Sequence, residues 1–207
     1  MLVNLSVKEF LSQTAGNDPV PGGGSISALN AAISAALAEM VANLTIGKKK
    51  YEDKEEMMKK IAASANNYRA LFIHDIDADS DAYDKVFAAF KLPKETDEEK
   101  AERSKQIQAT TKIAAEVPMD VARKAFAIME VIEEVAEHGN QNAITDACVS
   151  MMAARTAVLG AILNVKINLS ALKDEEYAAR MREECGQLEK AAVAKEQALL
   201  EKVNKTL

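Results

Sequence analysis

Three consecutive glycines in this chain could form a binding site for an anion or an electron-rich carbonyl. The segment Pro21-Gly22-Gly23-Gly24-Ser25 leads directly into an apolar stretch with the character of a helix. Glycines expose their backbone N–H groups, and the first turn of a helix carries partial positive charge, so both features favour an electron-rich ligand. The simpler interpretation is a flexible turn in which Ser25 is the N-cap. Neither a P-loop nor a dinucleotide loop fits, because no Gly-Lys-Ser/Thr follows the glycines and no strand precedes them.

An aspartate-rich run offers carboxyl groups that could transfer protons. Five aspartates lie within ten residues, namely Asp75, Asp77, Asp79, Asp81 and Asp84. A calcium loop is excluded, because Ser80 stands where that loop needs Gly and Val86 stands where it needs the closing Glu. Crowded carboxylates repel one another, and this can raise the pKa of one carboxyl toward the value that a general acid needs. We expect this role for Asp77 or Asp79, and we expect Asp75, Asp81 and Asp84 to form a solvated acidic face.

Amide and carboxyl side chains recur among small residues in the second half of the chain. They are Asn140, Asn142, Asp146, Asn164 and Asn168. Two pairs of them, Asn142 with Asp146 and Asn164 with Asn168, are spaced i,i+4 and would each lie along one helix face. Such groups in an alanine-lined groove could bind the hydrogen-bonding edge of a flat heterocycle. They could equally cap helices and satisfy polar groups between helices.

The basic run Lys48-Lys49-Lys50 follows Gly47 at the end of an apolar helix. Most such runs only solvate a helix end. These lysines could also hold the carboxylates of a substrate.

Helices are the elements that must position all of these residues. Apolar residues recur at helical spacing in six segments, roughly 6–14, 25–46, 52–90, 97–138, 142–169 and 174 onward. Capping boxes begin the first and fourth segments, at Ser6 and Thr96. Pro118 should kink the fourth helix, at a cost of about 3 kcal/mol unless packing compensates. We expect the charged far end of the last helix, residues 191–207, to fray.

This pattern predicts an all-α bundle of about five to six helices in one domain, residues 1–207, with the alanine-rich second and fifth helices at its centre. The longest helices would reach roughly 55–65 Å at about 1.5 Å per residue. Because a monomer of this mass does not need helices of that length, we expect a dimer that is held together by helix packing.

Composition excludes several classes of protein. Hydrophobic residues make up 48% of the chain, and its net charge is −6 with acidic and basic residues interleaved, which argues against nucleic-acid binding. Cys148 and Cys185 belong to no CxxC or Cys/His cluster, so we expect two reduced thiols and no metal site. The most apolar segment, residues 25–46, holds more polar groups than a membrane span tolerates, and no secretory signal is apparent. We therefore expect a cytoplasmic protein that does not bind membranes.

Taken in order, these motifs resemble one family, the formimidoyltetrahydrofolate cyclodeaminases and bacterial methenyltetrahydrofolate cyclohydrolases. The resemblance begins at Asp18-Pro19-Val20-Pro21-Gly22-Gly23-Gly24-Ser25 and continues through Ala36 to Tyr51, which ends in Thr-Ile-Gly-Lys-Lys-Lys-Tyr. It then includes Ile76-Asp77-Ala78-Asp79, Gly139-Asn140-Gln141-Asn142, Thr145-Asp146-Ala147 and Leu163-Asn164-Val165-Lys166-Ile167-Asn168. Because it spans nearly the whole chain in collinear order, it is more specific than any single motif.

The resemblance implies an all-helical homodimer that binds tetrahydrofolate near the dimer contact. One implied reaction is hydrolysis of 5,10-methenyltetrahydrofolate to 10-formyltetrahydrofolate. The alternative is closure of 5-formimidoyltetrahydrofolate to the same methenyl compound with release of ammonia. A rival from another class is a non-catalytic folate-binding or scaffold dimer.

Our hypothesis assigns proton transfer to Asp77 or Asp79, with Asp146 as the third candidate. The residues expected to position the folate ring and its one-carbon bridge are Gly22, Gly23, Gly24, Ser25, Asn43, Asn140, Asn142 and Asn164. Lys48 and Lys49 would bind the glutamate tail. We expect a tetrahydrofolate derivative as substrate, no permanently bound cofactor and no metal.

Overall fold

Six α-helices account for most of the chain in the computed structural model, which describes residues 1–206. They are α1 (Val7–Thr14), α2 (Gly23–Asn43), α3 (Glu55–Phe90), α4 (Asp97–His138), α5 (Ile144–Leu169) and α6 (Glu175–Asn204). Short 3₁₀ turns occupy Leu2–Asn4, Lys49–Lys54 and Gln141–Ala143, and no strand occurs among the described residues. The all-α prediction is therefore confirmed.

Helices α2 to α5 form an up-down-up-down bundle in which each helix is antiparallel to the next. Polar contacts mark the four neighbouring pairs: Glu39–Arg69, Asp75–Lys124, Asn168–Ala114 and Ser34–Ser150. The last of these contacts joins α2 to α5 and closes the bundle. Helix α6 lies against α4 and α5, to which it is held by Arg123–Glu184 and Arg155–Glu196.

Small residues let the two alanine-rich helices, α2 and α5, approach each other closely. Gly160 on α5 lies so near Ser27 on α2 that a Cβ at Gly160 would collide with the Ser27 hydroxyl. Helices α3 and α4 supply large core side chains such as Phe72, Met119 and Ile128, which are fully buried. Helix α5 also supplies large buried side chains, Met151 and Ile162, so the core combines small residues at the α2–α5 contact with large ones from α3, α4 and α5.

Pro118 lies inside α4, which is one continuous helix. Two expectations for the helices are corrected. Helix α2 begins at Gly23, two residues before the expected Ser25. The far end of α6 is helical as far as Asn204, because Leu199 and Val203 recur at helical spacing and are buried against the bundle.

The two cysteines, Cys148 and Cys185, are free and buried, as the sequence indicated. Burial raises the pKa of both thiols, because it disfavours the thiolate.

Two helical stretches, Gly23–Asn43 and Gln141–Leu169, are long and apolar enough to cross a membrane by composition alone. The core helices of a bundle pass the same test, and 56% of each stretch is buried here. This finding is therefore weak support for a membrane span.

Candidate functional site

The glycine-rich segment lies at the start of α2, where a carboxylate from another helix caps the backbone. Gly22 is the N-cap of α2 and has no side chain to accept a hydrogen bond from the first turn. The backbone N–H and the hydroxyl of Ser25 donate instead to Asp79 of α3, the hydroxyl at 3.2 Å. Asp79 thus performs the task that an N-cap side chain usually performs, in the position where the helix dipole favours negative charge.

Gly24 makes room for this carboxylate. A Cβ added at Gly24 would overlap both carboxylate oxygens of Asp79. Gly24 and Ser25 are both buried, so a side chain at Gly24 would have to displace this carboxylate. The third glycine of the motif, Gly24, is therefore required by a tertiary contact and not by backbone conformation.

The environment of Asp79 suits a group that carries a proton. Burial raises the pKa of Asp79 above its ordinary value of 3.8, because the charged form loses hydration, and the hydrogen bonds from Ser25 oppose this shift only in part. Asp79 thus takes up and releases a proton at a higher pH than an exposed aspartate does. Such a shift brings a carboxyl closer to the pH at which general acid–base catalysis is effective.

Asn164 of α5 lies at the same end of the bundle. Its amide nitrogen would be 3.1 Å from a Cβ placed at Gly23, so the amide packs directly over the glycine-rich segment. The same nitrogen donates to the carbonyl of Gly160 at 2.8 Å, which fixes the orientation of the side chain. We call Gly22–Ser25, Asp79 and Asn164 the glycine-loop cluster.

Asp77 faces away from this cluster, because two residues along an α-helix correspond to a rotation of about 200°. Its Oδ1 accepts the backbone N–H of Leu2 at 2.5 Å, and its Oδ2 is buried without a partner among the described residues. The adjoining open groove, about 790 Å³ in volume, is also lined by Asp81 and Asp84. This concentration of negative charge disfavours the carboxylates of a glutamate tail.

The expectation that Asp75 is solvated is wrong. Asp75 is buried and forms an ion pair with Lys124 of α4. The two residues are 49 positions apart, so no local sequence signal indicates the pair. Asp81 and Asp84 are exposed, as predicted.

The remaining predicted residues lie at the opposite end of the bundle. Asn140 accepts the N–H of Asn142 and donates to the carbonyl of Leu44, while its own N–H donates to Thr45. Asn140 therefore ties the segment after α4 to the end of α2, which agrees with the capping interpretation. Asn43 and Asn142 are exposed.

The predicted lysines lie at this same end. Lys48 and Lys49 are exposed beside Gly47, whose φ of 74° is in the left-handed region that favours glycine. Asp146 is in the first turn of α5. The lysine–amide cluster is our name for Asn43, Lys48, Lys49, Asn140, Asn142 and Asp146.

The glycine-loop cluster and the lysine–amide cluster do not meet within one chain. They lie at opposite ends of α2, which at about 1.5 Å per residue separates Gly23 from Asn43 by roughly 30 Å. Asp146 and Asn164 lie on one face of α5 but are five helical turns apart. The residues predicted to form one folate site therefore lie in two separate clusters of the chain.

Within residues 1–206, no group of three His, Cys, Asp or Glu side chains is arranged to hold a metal ion. The aspartate run lies on a single continuous helix, so it has none of the loop geometry that calcium requires.

Comparison with known proteins places this geometry in a family. A family model described as formiminotransferase-cyclodeaminase matches residues 6–187. The chain is 40% identical over 197 residues to a methenyltetrahydrofolate cyclohydrolase from Methylorubrum extorquens, and the alignment covers 95% of each chain. It is 32% identical over 181 residues to the formimidoyltransferase-cyclodeaminase of Rattus norvegicus, covering 87% of this chain and 34% of the rat protein.

A solved structure matches the fold over nearly its whole length. The crystal structure of formiminotetrahydrofolate cyclodeaminase from Thermotoga maritima has a TM-score of 0.85 and 33% sequence identity to this chain, and the match covers 96% of both chains. The sequence, the fold and the collinear motifs agree, and the chain belongs to the formiminotransferase-cyclodeaminase family.

Proposed function

We propose that this protein is a one-carbon folate enzyme that hydrolyses 5,10-methenyltetrahydrofolate to 10-formyltetrahydrofolate. The observation that carries the proposal is the half-buried Asp79 carboxylate at the start of α2, beside the backbone N–H groups of the glycine-rich segment. The 40% identity to a cyclohydrolase, over 95% of both chains, supports this reaction in particular.

In the proposed reaction, Asp79 accepts a proton and returns it. Water adds to the cationic bridge carbon while the Asp79 carboxylate takes one of the water's protons. The resulting tetrahedral carbon carries a hydroxyl and is bonded to both N5 and N10. Asp79 then donates its proton to N5 as the bond from that carbon to N5 breaks, and the hydroxyl loses its proton to solvent. The products are a formyl group on N10 and one released proton, which balances the positive charge of the substrate.

The N–H groups at the start of α2 would stabilise the oxygen of the new formyl group. Donors that are fixed where negative charge develops contribute strongly to catalysis, because they need no reorganisation during the reaction. Asn164 packs against the same segment and would help to orient the ring.

Cyclodeamination is the second candidate reaction. In that reaction N10 attacks the formimidoyl carbon on N5, and the tetrahedral carbon expels ammonia after a proton reaches the departing nitrogen. The same carboxyl could supply this proton. The 33% sequence identity to a solved cyclodeaminase structure supports this second candidate.

We further propose that the enzyme is a homodimer that pairs through the outward sides of α2 and α5, which we call the outer face. Its large apolar residues, all more than a third exposed, are Ile33, Met40, Val149, Met152, Leu163 and Ile167. The charged residues elsewhere on these helices pair with other helices, as in Glu39–Arg69 and Lys166–Glu189. A face with six large exposed apolar residues favours association with an identical surface.

A two-fold axis through the middle of the outer face would bring together the two clusters that one chain separates. Because they lie at opposite ends of an antiparallel helix pair, the rotation would place the glycine-loop cluster of one copy beside the partner's lysine–amide cluster. The folate ring would then occupy the first cluster, and Lys48 and Lys49 of the second copy would bind the glutamate tail. We also propose that the protein is cytoplasmic and that its reaction needs neither a metal nor a permanently bound cofactor.

The absorbance of the methenyl compound distinguishes the two candidate reactions. The purified protein is incubated with 5,10-methenyltetrahydrofolate and, separately, with 5-formimidoyltetrahydrofolate, with a chelator present in both. Loss of the chromophore in the first reaction supports the hydrolase, and its appearance in the second supports the cyclodeaminase. If neither reaction occurs with or without added divalent ions, the protein is a non-catalytic member of the family.

A further inference from the structure

Three aromatic side chains near the end of α3 are exposed, although aromatic residues make up only 4% of the chain. Tyr83 is 39% exposed, Phe87 is 49% exposed and Phe90 is 51% exposed. Earlier in the same helix, Phe72 is fully buried. The change from buried to exposed aromatic residues falls between Phe72 and Tyr83, in the stretch that contains Asp79.

Helix α2 explains this change. Asp79 contacts the first turn of α2, so residues 80–90 of α3 extend roughly 16 Å beyond the point where α2 begins. The side of α3 that packs on α2 before Asp79 therefore has no helix over it after Asp79. Tyr83 and Phe87 point within about 80° of the direction of Asp79, one and two turns further along.

Tyr83 and Phe87 form an ordered pair of rings. Their centroids are 6.2 Å apart, and the planes differ by 14°, which is an offset stack. Lys91 lies 4.0 Å from the centroid of the Phe87 ring. Contacts with Tyr83 and Lys91 hold Phe87 in place, and the partly exposed Tyr83 ring lies on the side of the pair toward Asp79.

Phe90 differs from this pair. The guanidinium of Arg103 on α4 lies over its ring at 5.6 Å and also donates to its carbonyl. Phe90 therefore belongs to the contact between α3 and α4.

We propose that Tyr83, supported by Phe87, binds the cationic methenyl bridge and the attached ring of the folate substrate. This inference rests on the proposed function and adds a binding residue to it. A tyrosine ring stacks on flat heterocycles and attracts a cation over its face. The Asp79 carboxylate is one helical turn away and attracts the same charge. A neutral folate would gain the stacking energy but not the attraction for the cation.

The test compares Tyr83→Leu, Tyr83→Phe and the matched control Phe90→Leu with the wild type. We expect Tyr83→Leu to raise the KM for 5,10-methenyltetrahydrofolate about tenfold and to change kcat less than about threefold, because stacking and cation–π contacts are lost while Asp79 is retained. Tyr83→Phe keeps a ring and should stay within about twofold of the wild type, as should Phe90→Leu. Binding of the neutral 5-formyltetrahydrofolate, measured by calorimetry, should weaken less than binding of the cation in Tyr83→Leu.

An unchanged KM in Tyr83→Leu, with an active wild type, would overturn this inference and leave the proposed function standing. If Tyr83→Leu weakened binding of the cation and of the neutral folate equally, Tyr83 would not recognise the positive charge of the substrate. A wild-type protein that neither converts nor binds any folate would overturn both. Circular dichroism confirms that the exposed substitutions leave the fold intact.

Discussion

At the scale of single residues, Asp79 combines a structural and a chemical role. Its carboxylate caps α2 through Ser25 and packs against Gly24. An asparagine has the same shape and can still accept both hydrogen bonds from Ser25 through its Oδ1. Substitution by asparagine therefore separates the capping role from proton transfer.

We expect Asp79→Asn to lower turnover by roughly 10²–10⁴, the usual contribution of general acid–base catalysis, while folate still binds. Steady-state kinetics on the methenyl substrate measures the loss, and calorimetry measures binding. Asp84→Asn, which changes an exposed carboxyl on the same helix, is the control and should do little. Full activity in Asp79→Asn would move the proton-transfer role to Asp77 or Asp146, and full activity in Asp77→Asn and Asp146→Asn as well would exclude all three carboxyls from that role.

The raised pKa of Asp79 also predicts how stability depends on pH. Because the folded state binds this proton more tightly than the unfolded state, the contribution to stability is fully present below the unfolded pKa near 3.8. It is lost as the pH rises through the higher folded pKa. Asp79→Asn imitates the neutral form, so its free energy of unfolding relative to the wild type should increase across that window. Urea unfolding at several pH values measures the difference, and a difference independent of pH would contradict the prediction.

Gly24 offers a second test at the residue scale. Gly24→Ala would push a methyl group into the Asp79 carboxylate, so we expect a loss of roughly 1–3 kcal/mol in stability and a fall in turnover. The matched control is Gly186→Ala, also inside a helix, where a Cβ meets nothing within 4 Å. That change should stabilise the protein by roughly 0.5–1 kcal/mol, because alanine favours the helix. Similar effects at the two positions would show that the contact with Asp79 does not matter.

At the scale of elements, α4 accommodates a proline because another helix completes its hydrogen bonds. Pro118 has no N–H, so the carbonyl of Ala114 loses its helical partner. Asn168 of α5 donates its side-chain amide to that carbonyl at 2.9 Å. Spacing along α5 pairs Asn168 with Asn164 as candidates for heterocycle binding, whereas in the structure the Asn168 side chain makes this contact with α4.

A double-mutant cycle tests this compensation. Asn168→Ala should cost roughly 1–2 kcal/mol, because it leaves a buried carbonyl without a donor. In a Pro118→Ala background the restored N–H satisfies that carbonyl, so the same substitution should cost clearly less. Chemical denaturation of the four proteins gives the coupling energy. Additive effects would mean that the hydrogen bond from Asn168 does not compensate for Pro118.

At the scale of the whole molecule, the question is whether two chains are needed for one site. The glycine-loop and lysine–amide clusters are roughly 30 Å apart along α2. The outer face extends along both helices, and its most exposed residues, Leu163 and Ile167 (66% and 68% exposed), lie at the end near the glycine-loop cluster. A site that needs both clusters therefore depends on packing of the outer face against the same face of a second chain.

We expect the wild type to be a dimer at micromolar concentration and Ile167→Lys to be a monomer with much reduced turnover, because a lysine there would bury its charge at the interface. Leu71→Lys is the control, since Leu71 is 50% exposed on α3, away from the outer face. Light scattering gives the mass of each protein. A monomeric wild type would exclude the dimer, and an active monomeric Ile167→Lys would exclude the shared site.

Much of this architecture could be predicted from local sequence alone. The capping boxes at Ser6 and Thr96 are both formed, because each depends on residues three positions apart. The break at the glycine-rich segment and the ends of α3 and α4 at Phe90 and His138 also agree with the predicted boundaries. Collinear motifs along the chain were sufficient to predict the family.

Only the tertiary structure decided which aspartate forms a buried ion pair, which holds the N-terminal segment and which caps α2. Asp75, Asp77 and Asp79 have the same chemistry and lie on one helix, but their neighbours come from α4, from Leu2 and from α2. Those contacts join positions 49 to 75 residues apart, and spacing along one helix contains no information about them. Local sequence determines hydrogen bonds and helical faces within a few residues, whereas burial and ion pairing depend on the helix that packs against each face.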